Sequence, residues 1–203
     1  IDNRHKEGLV PYALWMRDKW KGYDLLMLPE LWNIGFMNYD KYYAESEAIG
    51  GPTASAIAAK AKERGAYVHG GSFVENRGGK YYNTSVFFDR SGKLIGQYSK
   101  MHLFTFQSRE PELLTPGTEF AVIDTEFGKM GLSTCYDLRF PEFYRKMVDM
   151  GMEFILVPAC WPYPRQEPWE VLNQARALEN TCYLISCNAA GAQAGTLYMG
   201  HSK

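Results

Sequence analysis

The stretch Ser133-Thr134-Cys135-Tyr136-Asp137-Leu138-Arg139-Phe140-Pro141-Glu142 decides how this chain is read. Ahead of it, residues 129–134 are short and mostly apolar, the pattern of a buried strand. After it, residues 139–148 read as a helix, with Pro141 suited to a first turn and Glu142 to the positive end of the dipole. Cys135 therefore falls where a strand stops and a helix begins. Backbone N–H groups at such a place lack intrahelical partners and can face a developing negative charge. A thiol there is readily made a nucleophile, although a free cysteine more often packs as a small hydrophobe.

Outward from that point the chain alternates. Apolar positions at helical spacing predict a helix over residues 3–21, ended by Gly22. Residues 24–28 form a continuous apolar run, the mark of a strand buried on both faces, and the run stops at Pro29-Glu30. A helix over 54–64, with Thr53 as its cap and Gly65 as its end, leads to a strand over 66–73. Strands over 81–89 and 93–99 pair across the turn Arg90-Ser91-Gly92, and Lys100 closes the second. Residues 101–117 read as a long loop, and loops of that length are often functional. Hairpin strands over 120–125 and 131–134 reach Cys135. A strand over 153–158, a helix over 166–180 with Trp169, Leu172, Ala175 and Leu178 on one face, and a strand over 182–188 complete the order. Such alternation predicts an α/β layered domain.

Composition narrows the partners. A net charge of −1 on 203 residues, with no long charged block, argues against nucleic acid or a membrane surface as partner. No apolar run is long enough to span a bilayer, and no signal peptide is expected. The four cysteines, Cys135, Cys160, Cys182 and Cys187, show no metal-type spacing, which points to reduced thiols and a cytoplasmic home. His5, His69, His102 and His201 are scattered, so zinc is not expected. Aromatic residues at 15% suit a dense core or an aromatic-lined pocket.

Glu30, Lys100 and Cys135 each follow a strand-like run at its C-terminal end, where open α/β sheets bind ligands. A base, a cation and a thiol meeting there supply the parts for acyl transfer. Three segments, Leu28-Pro29-Glu30-Leu31-Trp32, Tyr98-Ser99-Lys100-Met101-His102-Leu103-Phe104 and Cys135 to Glu142, resemble in order the signature segments of the nitrilase (carbon–nitrogen hydrolase) superfamily. Glu110 ahead of Leu114-Thr115-Pro116-Gly117, the segment Gln174-Ala175-Arg176-Ala177-Leu178-Glu179-Asn180, and Gly200-His201-Ser202-Lys203 match as well. The wording is closest to the amidase branch that includes omega-amidases and the Nit proteins.

That resemblance implies a four-layer α-β-β-α sandwich, with residues 1–203 as a single domain whose ends are incomplete. It implies a Glu-Lys-Cys triad: Glu30 as base, Lys100 and the Tyr136 backbone N–H as oxyanion donors, and Cys135 as the nucleophile of a thioester intermediate. Glu110 would be a second carboxylate positioning Lys100 or the substrate. It also implies a homodimer or higher homo-oligomer through the helices near 140–150 and 166–180, and no cofactor. Phe36 and Trp161, on loops after strands, are candidate pocket walls. The expected reaction is hydrolysis of a small linear amide, first an omega-amide of a dicarboxylic acid, with an N-carbamoyl amine as the alternative. Asp137 and Arg139 are expected to tie down the turn around Cys135.

Two other readings remain at this point. A Cys–His hydrolase would pair Cys135 with His69 or His102. A catalytically silent scaffold would keep the fold and bind a partner.

Overall fold

Along residues 84–88, apolar side chains leave on both sides of one strand, and this two-sided demand sets the architecture. Val86 and Phe88 pack with Ala54, Ile57 and Ala61 of a helix, whereas Phe87 packs with Tyr67 toward a second sheet. A strand buried on both faces needs a layer on each. The computed structural model describes residues 22–203, so the helix expected over 3–21 lies outside the described residues.

The first sheet has the order β1-β2-β3-β4, from β1 (Leu25–Met27), β2 (Tyr67–Arg77), β3 (Lys80–Phe88) and β4 (Leu94–Ser99). β1 and β2 are parallel, and the other pairs antiparallel. Helix α1 (Pro52–Arg64) covers its outer face. The short helix α2 (Glu110–Leu113) lies in the long connection to the second sheet. That sheet has the order β5-β6-β7-β8: β5 (Val122–Thr125), β6 (Gly128–Leu132), β7 (Phe154–Ala159) and β8 (Tyr183–Asn188). Its last three strands are parallel, and α3 (Pro141–Asp149) and α4 (Gln166–Asn180) cover its outer side. The layers therefore run α1, first sheet, second sheet, α3 with α4, which is the expected α-β-β-α sandwich. A separate hairpin, β9 (Ala190–Gln193) and β10 (Thr196–Met199), follows.

Several expectations are corrected. Gly51, not Thr53, stands at the N-cap of α1; Thr53 gives both its N–H and its hydroxyl to the Glu47 carboxylate. No helix begins at Arg139: a 3₁₀ turn, Cys135–Arg139, intervenes, and α3 opens at Pro141. The inward face of α4 is Trp169, Asn173, Arg176 and Asn180, while Leu178 is 83% exposed. Polar side chains can face inward there because their donors find carbonyls: Arg176 Nε donates to Leu138 at 2.9 Å, Asn173 Nδ2 to Trp169 and Asn180 Nδ2 to Arg176.

Candidate active site

Three strands end at one place. β1 runs out at Met27 and the chain turns through Pro29 to Glu30. Gly71 permits this turn: its φ is +62°, and a Cβ there would lie 2.0 Å from the Pro29 carbonyl oxygen. The next residue after Glu30 is fastened by Leu31 N–H to Ser72 Oγ at 3.0 Å. Lys100 follows β4. Its N–H donates to the Asn83 carbonyl at 2.8 Å, and its own carbonyl accepts from Gly117 at 2.9 Å.

The Lys100 ammonium has no exposed surface and sits between two carboxylates. It is 2.8 Å from Glu30 Oε1 and 3.0 Å from Glu110 Oε2. Burial works against the charged ammonium, but Glu110 and Glu30 outweigh it and hold its pKa well above the usual lysine range. Glu110 is raised, by burial first and by the Glu30 charge as well, with Lys100 opposing. Two further donors face Glu30: Asn83 Nδ2 at 2.9 Å and Cys160 N–H at 2.9 Å. Glu110 accepts from the Phe104 N–H at 2.6 Å and from Asn83 Nδ2 at 3.0 Å. Among the described residues the hydrogen bonds to the two carboxylates come from Lys100, Asn83, Cys160 and Phe104, all donors, as buried carboxylates require.

Cys135 opens the 3₁₀ turn after β6 with a φ of +46°, a left-handed conformation that costs a non-glycine residue and is held by the structure around it. Asp137 holds the turn. Its Oδ2 accepts from Thr134 N–H at 2.8 Å and Tyr98 hydroxyl at 2.7 Å, and Oδ1 from His102 N–H at 3.1 Å. The Cys135 and Tyr136 N–H groups precede the turn's first backbone bond, from Asp137 N–H to the Thr134 carbonyl. Burial pushes the Cys135 thiol well above its usual range; the Glu30 carboxylate adds to this, and Lys100 opposes it. The resting group is thus a neutral thiol. Glu30 is the carboxylate beside it.

Cys135 opens into a pocket that is partly open to solvent. Phe36 and Trp161 form part of its wall, with Phe104, Tyr136 and Cys160. Two cations also line it. Arg139 lies over the Trp161 ring at 5.0 Å, and Arg165 over the Phe104 ring at 5.8 Å. Among the described residues, neither guanidinium forms an ion pair. His102 is turned elsewhere: Nδ1 is 2.7 Å from Asp137 Oδ1 and the ring stacks on Phe140. His69 is buried in β2, where Nδ1 accepts from Gly71 N–H at 3.2 Å. Neither imidazole lines the pocket, which removes the Cys–His pairing. Among the described residues no cluster of three or more His, Cys, Asp and Glu is placed to hold a metal ion.

Residues 9–203 match the protein family described as Carbon-nitrogen hydrolase. The chain belongs to that family. A 2-oxoglutaramate amidase from Paenarthrobacter nicotinovorans is 37% identical over 188 residues, which is 89% of this chain and 64% of the relative. The chain thus spans under two thirds of that relative's length. Nit3 of Saccharomyces cerevisiae, a member of branch 10 of the nitrilase superfamily, superposes with a TM-score of 0.86 at 29% identity, covering 97% of this chain and 74% of that one. The amidase of Nesterenkonia sp. AN1, solved with the acetamide moiety of fluoroacetamide added covalently at its active-site cysteine, has a TM-score of 0.84 at 25% identity, covering 99% and 76%.

Within this carbon–nitrogen hydrolase, all four acid, cation and thiol residues expected from the sequence come together, and both candidate wall residues reach the pocket. Arg139, expected to tie down the turn around Cys135, lies over the Tyr136 and Trp161 rings and lines the pocket, while Asn83, Cys160 and Arg165 join the site without having been expected there. Only Trp161-Pro162-Tyr163-Pro164-Arg165, a loop after a strand, carried a local signal. Asn83 carried none.

Proposed function

We propose that this chain hydrolyses the terminal amide of a small linear molecule that carries a carboxylate at its other end, an omega-amide, by way of a thioester on Cys135. The observation that carries the proposal is the burial of Lys100 between Glu30 and Glu110 beside the thiol at the end of the pocket.

In this reading Cys135 Sγ attacks the amide carbonyl carbon while its proton passes to Glu30. The carbonyl oxygen becomes an oxyanion facing the Lys100 ammonium and the Tyr136 N–H. Collapse of the tetrahedral intermediate breaks the C–N bond, Glu30 returns the proton to nitrogen, and ammonia leaves. Water then attacks the thioester carbon, giving its proton to Glu30. The acid is released and the thiol regains its proton. Glu110 keeps the Lys100 side chain aimed without taking part in bond-making. Arg139 and Arg165 support the choice of substrate end, because an unpaired, aromatic-backed guanidinium matches a carboxylate geometrically and electrostatically. The Paenarthrobacter relative is named a 2-oxoglutaramate amidase, an enzyme for an amide of the same class.

A homodimer in a cytoplasmic, reducing setting completes the proposal. Leu178, Tyr183 and Val171 are 83%, 71% and 56% exposed on and beside α4, a concentration of apolar surface that a second copy would cover. The four free thiols suit a reducing compartment. Ammonia release from a panel of dicarboxylic monoamides, N-carbamoyl amines, uncharged amides and nitriles tests the reaction class. The monoamides should lead. Turnover confined to N-carbamoyl amines would replace this reading, and none across the panel would favour a binding scaffold.

A further inference from the structure

We propose that Asn83 is a positioning residue that fixes the base, the oxyanion cation and the second carboxylate in one geometry through a single side chain and its own backbone. This rests on the hydrolytic reading above and goes beyond its four-residue account. Asn83 sits on β3 with none of its surface exposed. One nitrogen, Nδ2, has two hydrogens, and it donates to Glu30 Oε1 at 2.9 Å and to Glu110 Oε1 at 3.0 Å. The Asn83 carbonyl accepts the Lys100 N–H at 2.8 Å, so the same residue sets where the lysine leaves β4.

The arrangement solves an electrostatic problem. Two buried carboxylates share one ammonium, and the Lys100 Nζ contacts at 2.8 and 3.0 Å leave their remaining repulsion to be offset locally. A neutral donor between the acids does so without adding a charge that would compete with Lys100 for the oxyanion. An acid in this position would be a third carboxylate, and a lysine would draw the acids away from Lys100. The amide's orientation is fixed by its partners, since Oδ1 turned toward the two acids would meet only acceptors. Oδ1 itself is buried and has no partner among the described residues. Asn83 therefore gives up one buried bond so that Nδ2 can bridge both acids, an arrangement that packing alone would not select.

The groups around the carboxylate pair are Lys100 from the end of β4, Cys135 from the turn after β6, Cys160 after β7, Tyr42, and Tyr198 on β10. Of these, Lys100 alone carries a positive charge. Loss of the amide would remove a donor that holds the Glu110 carboxylate down and so favour its protonation. The acid limb of activity against pH would then move to higher pH.

The test uses Asn83→Ser and Asn83→Ala in the full chain, both checked for wild-type melting, and two readouts. The first is kcat and KM against pH on a dicarboxylic monoamide. The second is the rate of Cys135 alkylation by iodoacetamide, mapped by mass spectrometry, which needs no turnover. The expected result is a fall in kcat of about a hundredfold with KM within a few-fold, an acid limb moved upward, and slowed Cys135 alkylation. If one variant does not fold, the other decides. Should both fail to fold, the role is structural and the proposal is overturned. Wild-type alkylation rate and pH profile in either folded variant would also overturn it. If the wild-type chain hydrolyses no amide, the functional reading fails separately, because the alkylation readout still tests whether Asn83 sets Cys135 reactivity.

Discussion

Lys100 is a full positive charge with no exposed surface, so its two carboxylate partners determine whether the fold tolerates it. Lys100→Met would leave Glu30 and Glu110 facing each other unpaired. We expect a loss of about 3–5 kcal/mol of stability, read by urea unfolding, as for other broken buried pairs. Activity should fall by at least about two to three decades, the usual result of losing an oxyanion donor. Arg165 presents the opposite case, a charge with something to bind outside the protein. Arg165→Ala should raise KM for dicarboxylic monoamides by about tenfold while leaving turnover of uncharged amides within about twofold, measured by ammonia release. At this scale the sequence was legible wherever chemistry coincided with a strand end, as at Glu30, Lys100 and Cys135. Asn83 was not legible, because its partners Glu30 and Glu110 lie 53 and 27 residues away and an amide within a strand carries no local mark.

Whole elements bring those residues together through a few close approaches. Gly71 interrupts the β2–β3 register and lets β2 pass within van der Waals range of the backbone at Pro29. Gly71→Ala would impose a left-handed alanine and a collision with the Pro29 carbonyl. A loss of more than about 2 kcal/mol is expected in thermal unfolding, together with a fall in kcat, because Glu30 is the next residue to move. Strand identity was readable from apolar runs and β-branched content, and α4 matched its expected span of 166–180. Its facing was not, since the inward side is Asn173, Arg176 and Asn180, which bond to carbonyl groups that no periodicity reveals. The β9–β10 hairpin also escaped, because Ala190–Gln193 has small side chains and little strand propensity, and pairing with β10 alone makes it a strand.

For the molecule as a whole, His69 makes stability depend on pH. Burial lowers its pKa from 6.5 to about 4, with Nε2 unpartnered among the described residues. The unfolded chain therefore binds the proton that the folded chain refuses between those values. Stability is fully present above pH 6.5 and is lost as pH falls from there toward 4, by about 3 kcal/mol from this group. Melting midpoints across that range should fall less steeply in His69→Gln. The exposed apolar surface at Leu178 and Tyr183 predicts that Leu178→Glu lowers the mass measured by light scattering from that of a dimer to that of a monomer. The α/β layering was legible in the alternation of helices and strands, the four-layer α-β-β-α arrangement only through the family resemblance, and the proposed dimer rests on Leu178, which periodicity put on one face with the buried Trp169. As the proposed nucleophile, Cys135 becomes a thioester during turnover. Intact-mass and peptide mass spectrometry of the chain, acid-quenched while turning over a dicarboxylic monoamide, tests this most directly. A mass gain equal to the acyl group should map to Cys135 and be absent in Cys135→Ala, which should also release no ammonia. Ammonia release by Cys135→Ala, or an acyl group on any other residue, would contradict it.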